Sequence, residues 1–310
     1  MTPPDGGAPA FGARVVGVPL RSALALGLVS AAGLAMFLWP LLLAPGEGDS
    51  HAQDAPLVFV VILPALLAVV LAELADGVID TKAVAMLGVL SAVGAALRPV
   101  GAGVAGIETV FFLLVLAGRV YGPGFAFVLG NTTLFASALL TGGIGPWLPF
   151  QMLAAGWVGL GAGLLPRRGL GGRAELAVLA AYGALSAYVY GFLMNLWFWP
   201  FALGGDTELS FVAGAPVWEN LHRFVLYTVA TSSLGWDTGR AITNAAAILV
   251  LGSAVLYVLR RAARRAAFGA AVVVVPPPEP IHSAATGTTE GVETGDQTGR
   301  SSSCTSTVSP

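Results

Sequence analysis

From residue 22 to residue 259 the chain is a succession of apolar runs, each interrupted by a few glycines, prolines or charged residues. Eight runs stand out, at 22–43, 57–74, 82–97, 105–118, 124–141, 149–165, 174–199 and 240–259. Most reach or approach the roughly 17–25 residues with which an α-helix crosses a hydrocarbon core. The pattern predicts an all-α integral membrane protein with about eight transmembrane helices. A further stretch, "ENLHRFVLYTVATSSLGWD" at 219–237, differs in kind. Glu219, His222 and Arg223 crowd its start, while Leu221, Phe224, Val225, Thr228 and Val229 share one helical face. That spacing predicts an amphipathic or re-entrant helix on the outer surface. From about residue 270, "VVVVPPPEP" leads into a Ser/Thr/Gly-rich run without periodicity. Such a run cannot bury enough apolar surface to order itself, so it reads as a disordered cytoplasmic tail.

Composition supports the membrane environment. Hydrophobic residues make up 56% of the chain and charged residues 10%, whereas a soluble domain carries about a quarter charged. Too little charge is present to cover a water-facing surface. The formal net charge of −2 offers no general attraction to nucleic acid. Cys304 is the one cysteine and lies in the tail, which rules out a disulfide framework or a thiolate metal site. The first run is too long for the apolar core of a signal peptide and lacks a small-residue cleavage site, so it reads as a helix or signal anchor.

Basic residues orient the spans, because cytoplasmic loops retain Lys and Arg. With the N-terminus inside, the cytoplasmic side receives Arg14, Arg21, Lys82, Arg119, Arg167, Arg168, Arg173, Arg260, Arg261, Arg264 and Arg265. The outside receives Arg98, Arg223 and Arg240. The expected placement is a multi-pass protein of the plasma membrane with both termini cytoplasmic.

Familiar catalytic signatures are missing. The sequence contains no HExxH, CxxC, GxSxG or acidic-pair motif, and no GxxxxGK[ST] with which it could hydrolyse ATP by itself. His51, His222 and His282 fall on separate loops or in the tail and read as solvated. Glu73, Asp76 and Asp80 form one acidic cluster, which a lipid-modifying enzyme could use but which reads more simply as a solvated turn. No catalytic residue, metal site or cofactor is expected.

Polar residues at membrane depth carry more information, because an ionisable group inside a bilayer is costly and usually faces a cavity. Arg98 closes the third run, and Glu108 opens the fourth at the same level, where the two could pair. Asn131 falls in the middle of the fifth run, Gln151 begins the sixth, and Asn195 lies in the outer half of the seventh. Trp147, Trp197 and Trp199 gather at that same face. An aromatic belt would account for the tryptophans alone. Their convergence with Arg, Glu, Gln and Asn predicts an outward-facing binding pocket.

One stretch carries a resemblance: "GAALRPV…ETVFFLLVLAGRVYGPGFAFVLGNTTLFASALLTGGIGPWLPFQMLAAGWVGLGAGLLP". Its specific parts are "GPW-x-PFQM-x-x-x-GW-x-G" and "GRVYGPGFAFVLG"; later "MNLWFW" and "SLGWDTGRAITN" continue it. From residue 81 to about 265 the chain resembles the substrate-binding S components of energy-coupling-factor (ECF) transporters, small six-helix membrane proteins that capture vitamins from outside. The resemblance implies a cytoplasmic segment at 1–21, an added two-helix hairpin at 22–80, a six-helix core at 81–268 and the tail at 269–310. It implies that outer loops such as "GGIGPWLP" close over a ligand held by Arg98, Glu108, Asn131, Trp147, Gln151, Asn195 and Trp199. Similar proteins are assigned to cobalamin or its corrinoid precursors, which makes a corrinoid the favoured ligand, with riboflavin or another flat vitamin as the alternative for the same residues. The implied partners are a transmembrane coupling subunit and a pair of cytosolic ATPases. The family's first core helix docks on the coupling subunit through an Ala-x-x-x-Ala surface, to which Ala92 and Ala96, with Gly88 one turn earlier, correspond. That stripe could instead pack on the hairpin, whose first run has its own ladder at Ala23, Gly27, Ala31 and Ala35. A proton-coupled secondary transporter is the rival class, with Glu108 as its buried carboxylate.

Overall fold

The computed structural model describes residues 20–42, 81–101, 106–167, 169–203 and 207–266, together with positions 64 and 68. The expected span at 57–74, the acidic turn of Glu73, Asp76 and Asp80, His51, His282 and the tail with Cys304 lie outside the described residues. All described helices belong to the unit formed by residues 1–270.

Every regular element among the described residues is helical. The helices are α1 (Leu20–Phe37), α2 (Trp39–Leu42), α3 (Thr81–Leu97), α4 (Val110–Tyr121), α5 (Pro123–Thr141), α6 (Leu148–Leu164), α7 (Gly172–Ala202), α8 (Val217–Thr228) and α9 (Thr238–Ala266). A 3₁₀ turn, Arg98–Gly101, follows α3, and a π-helical segment, Val229–Asp237, joins α8 to α9. Five runs are long and apolar enough to cross a membrane: Leu20–Phe37, Lys82–Gly101, Pro123–Thr141, Gly172–Ala202 and Val217–Arg265. Val110–Tyr121 and Leu148–Leu164 are apolar but shorter.

The shortest of the core helices sits in the middle. All of α4 is buried, and it touches α3, α5, α6, α7 and α9. A helix that is apolar on every side, as "VFFLLV" dictates, has to be wrapped by others. The five surrounding helices do this, and α1 lies outside them against α6 and α7. Proline at the first turn starts both α5 and α6, where its missing N–H costs nothing.

Small residues let α5 and α6 pack closely. A Cβ on Gly130 would lie 2.5 Å from the Ala155 carbonyl oxygen, and one on Gly156 would lie 2.5 Å from the Asn131 amide. In lipid, where water drives no helix association, such close approach supplies the packing attraction. Gly130→Ala is therefore expected to cost about 1–3 kcal/mol, the usual effect of overfilling a tight contact. Gly27→Ala, where nothing lies within 4 Å, should be neutral or slightly stabilising. Thermal unfolding of the purified variants compares them, and equal midpoints would show that the α5–α6 contact is not tight.

Arg119 departs from its sequence reading as a loop cation. It is 5% exposed, with its Nε donating to Glu175 Oε1 at 2.7 Å and its Nη1 to the Pro166 carbonyl at 2.9 Å. Arg260 donates to the same carboxylate oxygen at 2.6 Å. This network ties α4, α7, α9 and the α6–α7 connection at one end of the bundle, because α4 ends deep enough for its last turn to need internal partners.

The segment at 219–237 is helical and its first part, α8, is amphipathic, as expected. It is not separate, because α8, the π segment and α9 form one continuous helical run. Phe224 and Thr228 are buried, whereas Leu221, Val225 and Val229 are exposed. The distal end of α7 decides which side is covered: Trp199 and Leu196 pack with Phe224 and Tyr227 in a small second core.

Candidate functional site

At the end of the bundle opposite Arg119, a cavity of about 280 Å³ opens between α3, α5, α6, α7 and α9. Arg98, Glu108, Gln151, Tyr190 and Arg240 line it, together with Ser137, Thr141, Ile107 and Trp236. Tyr190 lies fifteen residues beyond Glu175 along α7, or roughly 22 Å at 1.5 Å per residue. The helix then continues for twelve more residues to Ala202, so the cavity lies within the length of the helical bundle rather than at its tip.

Broken backbone makes the space. At about 18 Å, the twelve residues of α4 are too short to cross the roughly 30 Å hydrocarbon layer. The chain reaches α4 through the Arg98–Gly101 turn and the non-helical residues 107–109. Irregular backbone at membrane depth is tolerated where it is buried in protein or lines a cavity. The Thr109 hydroxyl donates to the Leu97 carbonyl at 2.8 Å and so satisfies an acceptor that the end of α3 leaves open. Gly106 adopts φ +76° against the backbone of Trp236, where any Cβ would collide with the tryptophan carbonyl. This contact presses the loop before α4 onto the π segment.

Four charges meet here. Arg240 Nε donates to Glu108 Oε2 at 2.6 Å, and its Nη1 donates to Asp237 Oδ1 at 2.9 Å. Its guanidinium also lies 5.1 Å from the Tyr190 ring centre and 5.8 Å from that of Phe111, within cation–π range. Asp237 is fully buried; Ser232 and Ser233 donate to its other oxygen at 3.0 and 3.2 Å, and the missing side chain of Gly191 leaves it room. Arg98 Nε stands 3.7 Å from Glu108 Oε1. Arg98 Nη2 donates to Gln151 Oε1 at 3.0 Å, and Nη1 makes a long contact of 3.5 Å to the Ser137 hydroxyl. The buried Asn244 donates to the Glu108 carbonyl at 3.1 Å, anchoring the loop from below.

Of the residues expected to hold a ligand, the structure brings together Arg98, Glu108 and Gln151. The remaining four lie elsewhere. Asn131 is fully buried between α5 and α6, its amide donating to the Phe127 carbonyl at 2.8 Å. Trp147 is 43% exposed, and its indole N–H folds back onto the Gly143 carbonyl at 3.3 Å. Asn195 contacts the Thr228 hydroxyl at 3.4 Å. Trp199 is fully buried and donates to the Leu209 carbonyl at 2.8 Å. "GGIGPWLP" thus delivers Gln151 to the cavity but turns its own tryptophan outward. Gly88, Ala92 and Ala96 are exposed on α3.

Arg240, Asp237 and Tyr190 escaped the sequence reading. Along the chain Arg240 reads as an outer-side basic residue at the start of the last span. Its signal was "WDTGR": an acid and an arginine three residues apart at the mouth of an apolar helix, a spacing that places both on one face. In comparisons with known proteins, no family model, no curated protein and no solved structure matches this chain.

Proposed function

We propose that this chain is a membrane-embedded substrate-capture subunit of an ECF-type importer, which takes a vitamin-sized molecule from the outer face and relies on separate subunits for energy. The observation that carries this reading is the counter-charged cavity at membrane depth, built on interrupted helices, a recurring way of making solute sites in membrane transport proteins. The resemblance of residues 81–265 to S components supports the same assignment, as does the absence from the sequence of any ATP-hydrolysing motif. The arginine asymmetry along the sequence supports a topology with both termini cytoplasmic and the cavity outward.

The size of the cavity bears on the ligand. Pockets for drug-sized molecules run from about 300 to 1,000 Å³, so about 280 Å³ suits one small ring system. A corrinoid, which is larger than a drug-sized molecule, would require the segments at 106–109 and 236 to move apart. A small vitamin is the better fit to this conformation.

Purification of the tagged full chain from its native membrane under mild detergent tests the assignment. The expected result is co-purification of one polytopic subunit and two ATPases, with uptake that stops when ATP hydrolysis is blocked. Uptake that follows a proton gradient without ATP would replace this reading with a secondary transporter. For orientation, single cysteines at 143 and 265 in a variant lacking Cys304 should differ in intact cells: only position 143 should react with an impermeant thiol reagent. The opposite labelling would invert the topology.

A further inference from the structure

We infer that the ligand of this cavity is a small organic acid whose carboxylate docks on Arg98; this rests on the substrate-capture reading and names the substrate class for that site.

The two arginines of the cavity are in different situations. Arg240 is committed: both of its short bonds go to carboxylates, and its flat face is covered by Tyr190 and Phe111. Arg98 is not. A guanidinium carries five N–H donors, and Arg98 spends one on Gln151 at 3.0 Å and one on a long 3.5 Å contact with Ser137. Its approach to Glu108 at 3.7 Å is too long for a hydrogen bond, and the nearer oxygen-to-arginine contact of that carboxylate belongs to Arg240 at 2.6 Å. Arg98 is 21% exposed by side chain and lines the cavity. Beside it, the Gln151 carbonyl oxygen is already used as an acceptor, while the Gln151 amide group supplies two further donors.

Among the described residues, the cavity therefore offers donors on Arg98 and Gln151 that none of its own groups fills, and Glu108 Oε1, the one carboxylate oxygen there without a hydrogen bond, stays 3.7 Å from Arg98. What those donors call for is an acceptor with two oxygens in a plane. A carboxylate matches that requirement: it accepts two parallel N–H bonds from one guanidinium, and such charge-assisted pairs are roughly twice as strong as neutral ones. An amide or alcohol of the same size cannot complete the fork. Ile107, Pro99 and Trp236 add apolar lining, which suits the ring or hydrocarbon body of the acid.

Isothermal titration of the purified full chain in lipid nanodiscs, using benzoate and indole-3-acetate against their carboxamides, tests the inference. The acids should bind at least tenfold more tightly than the amides. Arg98→Gln should erase that preference, and Arg98→Lys should restore part of it, keeping the charge but losing the fork. Should Arg98→Gln fail to fold, the acid-to-amide ratio of the native chain and of Arg98→Lys decides. Amides that bind as tightly as acids, or a preference that survives Arg98→Gln, would overturn the carboxylate assignment while leaving a ligand site intact. Binding of neither class would overturn it as well. The importer reading would then stand or fall separately, on the co-purifying ATPases.

Discussion

Arg240→Met is expected to lower stability by about 3–5 kcal/mol, the usual result of breaking a buried ion pair by removing one partner. The arginine holds two carboxylates at once, Glu108 at 2.6 Å and Asp237 at 2.9 Å. Glu108 would keep one distant cation, Arg98 at 3.7 Å. Asp237, with its side chain 1% exposed, would keep two serine hydroxyls, which cannot replace a charge. Desolvated charge of this kind is costly in any apolar interior. The loss also removes the charged link between the loop before α4 and the start of α9, leaving the Asn244 bond to the Glu108 carbonyl, so ligand binding should weaken together with stability. Neutralising the acids as well, in Glu108→Gln/Asp237→Asn/Arg240→Met, should recover much of the loss, because a buried ion cluster contributes little net stability over neutral groups of similar shape. Thermal unfolding in detergent measures both variants. A single mutant that unfolds within about 1 kcal/mol of the native protein, the range of an exposed ion pair, would mean that water reaches the cluster freely.

The second large effect is functional rather than structural. On the proposed importer assignment, Ala92→Trp/Ala96→Trp is expected to abolish ATP-driven uptake and partner co-purification while leaving unfolding temperature and ligand binding near native. Two sides of α3 are distinguishable in the fold. One faces α5, where the Ser91 hydroxyl pairs with Thr132 at 2.6 Å and Gly94 packs on Thr133; Leu90 and Ala95 are buried on that side. The other carries Gly88, Ala92 and Ala96, all exposed, beside the exposed Val89 and Val93. Among the described residues, α1 does not cover this ladder. It packs instead on α6 and α7, with Gly33 against Leu153 and Trp157, and leaves Ala23, Gly27, Ala31 and Ala35 exposed as well. Small-xxx-small surfaces allow close helix approach in lipid, and two tryptophans would prevent it. If the double variant unfolds while its partners still co-purify with the remaining folded fraction, the ladder packs within this chain and the docking role is lost.

Much of this protein was legible along the chain because its determinants are local. The apolar runs specify helices, since in lipid each backbone group has to be satisfied within its own segment. The prolines at the starts of α5 and α6 mark their boundaries for the same local reason. Arg98, Glu108 and Gln151 could be singled out because a polar residue in such runs needs a reason to be there. Their partners could not be. Which cation pairs with Glu108 depends on where α9 lies beside α4, and that is set by the wrapping of a fully buried helix by five others. Arg240 and Asp237 look like surface charges until the π segment carries them under Tyr190, beside the space that Gly191 leaves. Asn131 and Trp199 show the converse: each has the chemistry of a ligand contact, yet the close α5–α6 approach and the second core bury them against backbone carbonyls. Spacing along a helix tells which residues share its face, but only the packing of neighbouring helices decides whether that face meets a cavity, lipid or another helix.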